Sequence, residues 1–154
     1  MNKKGFTVVE LITSFALTMV ITVFLFEVLI DIKDIYVETA IKTSIQQKLS
    51  VISKNIKRAV SLRGTTISCS DTYNCKVNNA IDIKLNTDKV VVGYQEYTFP
   101  DGVQISNRNL TQECTTGTQN CYLKVNLELQ HPNLSTKYKY ETIFFYYDYT
   151  QPIT

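Results

Sequence analysis

The sequence predicts an α+β chain, in which one long amino-terminal helix, half membrane-spanning and half amphipathic, packs on an antiparallel sheet of four to five strands. Three observations predict it. No glycine or proline interrupts residues 6–62. The apolar residues of that stretch form first an unbroken run and then a stripe at steps of three and four. Beyond Gly64 the apolar period changes to two, the period of a strand with one wet side.

The helix follows Lys3, Lys4 and Gly5. From Leu11 to Phe26 sixteen residues carry no charge. They make about 24 Å of helix, and extension to Ile30 reaches the ~30 Å of a hydrocarbon core. Glu27 and Asp31 then mark the far surface, while the two lysines hold the amino terminus in the cytoplasm by the positive-inside rule. Everything after the span is expected outside the membrane. Val37, Ile41, Ile45, Leu49, Ile52, Ile56 and Val60 form the stripe, with Lys42, Gln46, Gln47, Ser50, Lys54 and Lys57 on a solvated face. As one helix the 57 residues from Phe6 to Leu62 extend about 85 Å. Lys54, Lys57, Arg58 and Arg63 complement the negative end of the helix dipole. Contact with DNA or an acidic partner is the functional alternative for these cations. Gly64 caps the helix.

Ile81, Ile83 and Leu85 alternate with Asp82 and Lys84 as a first strand, Asn86–Asp88 is a turn, and Lys89–Phe99 is a second strand. Pro100-Asp101-Gly102 turns into a short strand at Val103–Ser106. Residues 107–120 read as a loop. Leu123, Val125, Leu127 and Leu129 alternate with polar residues in the clearest strand, and His131-Pro132-Asn133 turns it back. In the last strand, Lys137–Tyr149, the row from Tyr138 to Tyr146 is core. For the second aromatic row, Phe145, Tyr147 and Tyr149, core is favoured over an interaction surface.

The four cysteines, Cys69, Cys75, Cys114 and Cys121, lie beyond the span, where an even number reads as disulfides with three connectivities. Joining sequence neighbours is favoured, because each pair sits in a polar, turn-rich segment and closes a short loop. Zinc is disfavoured, since neither pair has a two-residue gap and the only histidine is His131 in a turn.

The residues Gly5, Phe6, Thr7, Glu10, Leu11 and Ile12, with the apolar run behind them, resemble the leader of the type IV pilin-like family: type IV pilins, type II secretion pseudopilins and competence pseudopilins. A secretory signal is cut after its apolar stretch, whereas here the small-residue break precedes it. The resemblance covers about the first fifth of the chain and finds no motif in residues 65–154. It implies a leader at 1–5, an assembly helix at 6–30 and an extracytoplasmic head at 31–154 that includes the distal half of the helix. It implies cleavage by a prepilin peptidase between Gly5 and Phe6, and methylation of Phe6. A carboxylate within a span costs about 2.5–3.5 kcal/mol on insertion scales and needs a partner. For Glu10 the new amine of Phe6 is the positive group at hand, within the chain or, as the family implies, on a neighbouring subunit. The implied partners are other pilin or pseudopilin subunits, an inner-membrane assembly platform and, before assembly, membrane lipid. The implied location is the cell membrane, then a filament outside it. Many type IV pilins carry a proline part-way along this helix, and here the first is Pro100, which points to a minor pilin or pseudopilin. A tip-located pilin that binds DNA or a surface, and a plain signal-anchored domain, are the alternatives.

Loss of Lys3 and Lys4 takes the formal side-chain charge from +2 to zero, which argues against bulk electrostatic binding of nucleic acid. DNA as a partner has no further support. No nucleophile elbow, phosphate loop, dinucleotide fingerprint or metal-ligand cluster stands in the sequence. Calcium at a turn, as in some pseudopilins, has no support in these residues. The expectation is a structural subunit without enzymatic activity, cofactor or metal.

Overall fold

A computed structural model describes residues 7–61, 64–115 and 118–150. Gly5, Phe6 and Arg63 lie outside the described residues. A helix, α1 (Val8–Val60), precedes eight strands. They are β1 (Ile67–Asp71), β2 (Asn74–Val77), β3 (Ile81–Leu85), β4 (Lys89–Val92), β5 (Gln95–Thr98), β6 (Gln104–Cys114), β7 (Asn120–Gln130) and β8 (Tyr138–Tyr147). The chain divides into two compact units, Met1–Thr39 and Ala40–Thr154.

In the first unit the side chains of α1 are exposed as far as Tyr36. In the second, α1 packs on antiparallel sheets. Ile45, Leu49, Ile52, Ile56 and Val60 are each at most 1% exposed, so the expected stripe is the face that is buried. Burial of such side chains contributes about 1.5–3 kcal/mol each. Val37 and Ile41, at the start of the stripe, are only half-buried. At the other end the Ser61 amide donates to the Lys57 carbonyl, closing the last turn. Gly64, with φ of 70°, stands four residues past the end of α1 and turns the chain towards β1 rather than capping the helix directly.

The strands form two sheets where one was expected. The first is a five-stranded meander, β1-β2-β3-β4-β5, and the second has the order β6-β7-β8. All pairings are antiparallel. The inner faces of both sheets and the α1 stripe share one core, with Val77, Ile83 and Val90 from the first sheet and Leu123, Leu127 and Leu129 from the second.

Four local expectations are corrected. The strand expected at Lys89–Phe99 is two strands, because Gly93 at φ 63° admits a tight turn that places Val92 opposite Gln95. The polar segment around Cys69 and Cys75 is the β1–β2 hairpin. The loop expected at 107–120 is mostly strand, since Asn107–Cys114 pairs with Cys121–Glu128. A bulge between Ile105 and Asn107 puts Ile105 and Leu110 on one face despite their odd spacing, so no period of two survives there. The second aromatic row of the last strand is not core: Phe145 is 77% exposed and Tyr147 63%.

Candidate assembly site

The start of α1 is built by a reciprocal cap. Thr7 precedes the first helical residue, and its hydroxyl accepts from the Glu10 amide at 3.3 Å. The Glu10 carboxylate accepts in return from the Thr7 amide and the Thr7 hydroxyl, both at 2.9 Å. This is a capping box, which satisfies otherwise orphaned amides of the first turn. Sequence reasoning sought an amine for Glu10 and missed this partner, although Thr-x-x-Glu ahead of an apolar run is the pattern that announces it.

Behind the cap the helix is apolar and bare. Phe15, Val20, Phe24 and Phe26 are each more than 60% exposed, and large apolar side chains stay exposed as far as Ile35 and Tyr36. The segment is long and apolar enough to cross a membrane, and none of its most apolar stretch is buried. Its hydroxyls are satisfied within the helix. Thr18 donates to the Ser14 carbonyl and Thr22 to the Thr18 carbonyl, both at 2.8 Å, and Thr13 and Ser14 donate to carbonyls one turn back. An apolar surround therefore meets few unsatisfied polar groups, as a bilayer requires.

In the head, Cys69 is bonded to Cys75 and Cys114 to Cys121. Each pair lies directly opposite across a hairpin, near its tip. Cys114, Cys121 and Asp148 bring potential metal-ligand atoms within 4.8 Å of one another. Both sulfurs are held in the disulfide, and Asp148 Oδ1 already accepts from the Thr150 amide at 3.0 Å and hydroxyl at 2.6 Å. His131 Nδ1 accepts from the Asn133 amide at 3.0 Å and shapes its turn. Lys54, Lys57 and Arg58 are exposed near the end of α1, and Lys57 and Arg58 occupy its last turn.

Two further polar features sit on the sheets. Asp71 accepts from the Asn74 side chain at 2.7 Å and the Tyr73 amide at 2.6 Å, bonds that lower its pKa and shape the β1–β2 turn. Tyr146 is pushed up to about 12 by burial, although the Gln112 amide group donates to its hydroxyl at 2.9 Å.

No family, curated protein or solved structure matched the chain in the comparisons. Its class therefore rests on architecture: an α+β chain with one long, partly bare apolar helix at its start and antiparallel sheets behind, an arrangement that is pilin-like.

Proposed function

We propose that this chain is a structural subunit, a minor pilin or pseudopilin, of a type IV pilus-like filament, and not an enzyme. The carrying observation is the bare apolar segment of α1, which runs as one helix into a folded head. In this reading the segment is stored in the bilayer with its amino terminus in the cytoplasm. A prepilin peptidase removes residues 1–5 and methylates Phe6. The assembly platform then draws the helix into a bundle of like helices from other subunits. Ser14, Thr18 and Thr22 recur every fourth residue, a small-residue row along which neighbouring helices approach closely. The disulfides support a head in an oxidising compartment outside the cytoplasm.

Glu10 then has two successive partners. Before assembly the Thr7 cap holds its charge, and in the filament the methylated amine of a neighbour replaces part of that cap. Two variants separate these roles. Glu10→Ala inserts in the membrane but is left out of filaments, whereas Thr7→Val loses the hydroxyl half of the cap, worth about 1 kcal/mol, keeps the backbone amide that bonds the Glu10 carboxylate, and still assembles. Immunoblots of sheared filaments and membranes read both. If Thr7→Val fails as completely as Glu10→Ala, Glu10 serves the helix end alone and its role in assembly is refuted. Intact mass and amino-terminal sequencing test processing: the expected chain begins at methylated Phe6, and one that keeps Met1–Gly5 refutes the filament reading.

A further inference from the structure

We infer that the free edge of β8 takes up an extended peptide strand from a partner protein, acidic on one face and apolar on the other, as a fourth strand of the second sheet. The inference concerns the head alone and does not depend on processing or on Glu10.

In the order β6-β7-β8, β6 is flanked by turns of the first sheet, since the Leu110 amide donates to the Thr72 carbonyl and the Ile105 amide to the Thr87 carbonyl. The opposite edge is β8. Among the described residues no backbone group of Tyr138–Tyr147 bonds to any segment other than β7. An edge strand directs alternate N–H and C=O groups outward, and ten residues of it without proline make a template for another strand. The outer strand β5 differs: it has four residues, and its Tyr97 hydroxyl accepts from the Asn55 side chain of α1 at 2.6 Å.

A trough runs between that edge and α1. One end is lined by Gln46, Ser50 and Lys54 with Tyr138 and Tyr140, the other by Ser61 with Thr142 and Phe145, and Ser53 and Lys57 line both. The helix side of the trough thus presents serines and two lysines, with Gln46 and Leu49 at one end. Among the described residues Lys54 and Lys57 form no ion pair, whereas Lys124 and Glu141 bridge at 2.6 Å on the outer face of the sheet.

A strand added here would alternate its side chains between two surroundings. Those turned towards α1 would meet Ser50, Ser53, Lys54 and Lys57, where carboxylates fit. Those turned outward would continue the exposed row of Ile143, Phe145 and Tyr147, where apolar groups fit. A second copy of β8 fits poorly, because it would bring the tyrosines and phenylalanine of its inward row against the lysines and no acid. Main-chain bonds with pockets for alternate side chains are a general mode of peptide recognition.

The test uses the full chain in detergent micelles and a blocked ten-residue peptide of alternating glutamate and valine, followed by fluorescence anisotropy and hydrogen exchange. The expected result is saturable binding that slows exchange in 138–147 and leaves 95–98 unchanged. The K54E/K57E double variant and Phe145→Ser should each weaken binding about tenfold or more, equivalent to about 1.4 kcal/mol. All three substituted side chains are exposed, and an unchanged thermal midpoint separates lost binding from lost fold. Equal binding of a lysine–valine peptide overturns the inference, as does binding without protection of β8. Protection that appears with protein concentration alone would assign the edge to a second copy. A single-stranded oligonucleotide that binds at the lysines where the peptide does not would assign the patch to nucleic acid.

Discussion

Replacement of Ile52 by alanine tests whether the distal part of α1 is core to the head or a rod laid against it. Ile52 is 1% exposed and belongs to the shared core of α1 and both sheets. The substitution removes three carbon centres, about 2.4 kcal/mol of transfer free energy at ~0.8 kcal/mol each. The cavity it leaves raises the expected cost within the range of about 2–5 kcal/mol. Ile52 sits in a core to which α1 and both sheets contribute, so close-packed neighbours relax into the gap only in part, and we expect about 3–4 kcal/mol. The neighbouring Val51 is 48% exposed, and Val51→Ala should cost less than about 1 kcal/mol. Urea unfolding in detergent, followed by tyrosine fluorescence, reads the difference. The chain has ten tyrosines and no tryptophan, and nine of the tyrosines lie at or beyond Tyr73, so the signal reports the head. Equal midpoints for the two variants would refute the packing argument.

Other outcomes follow from the disulfides and from the buried tyrosine. The chain-entropy relation gives roughly 2.4 kcal/mol for each short loop, on sequence separations of 6 and 7. Reduction of both should therefore cost about 5 kcal/mol in that model, read as a lowered urea midpoint, and an unchanged midpoint would show that strand pairing alone holds both hairpins. Tyr146 is raised from 10.0 to about 12 in the folded head, chiefly by burial. Its neutral form is the one the fold accepts, so its contribution is intact below pH ~10 and is lost as pH rises towards about 12. Tyr146→Phe should flatten that alkaline loss, and an unaltered pH profile of the midpoint would exclude Tyr146 as its source.

How far the sequence could be read depended on whether a pattern was local. The α1 stripe needs only the steps between Ile45 and Val60, and those residues are the ones buried. The alternation of Leu123 to Leu129 likewise announced β7. Its partner β6 was hidden, because its inner face carries Arg108 and Gln112 as well as Leu110. Arg108 lies 4.6 Å from the Tyr73 ring and Gln112 bonds Tyr146, so polar residues stand where apolar ones would reveal a strand. The bulge after Ile105 broke what period remained. At the start of α1, Glu10 stood out as a charge in an apolar run, yet its bonds to Thr7 were missed, because the membrane cost of a charge and the capping of a helix end call for different partners at the same residue.

By itself the sequence determined the helix, its apolar and amphipathic parts, and the position of β7, because each depends on the period of side chains along a single element. Only the tertiary structure decided that the strands divide into two sheets, that β6 pairs along β7, and that β8 is the outer strand of its sheet, beside Lys54 and Lys57. Those features depend on which strands meet across the chain. A polar strand such as β6 gains its place from the ladder its neighbour offers, not from its own pattern.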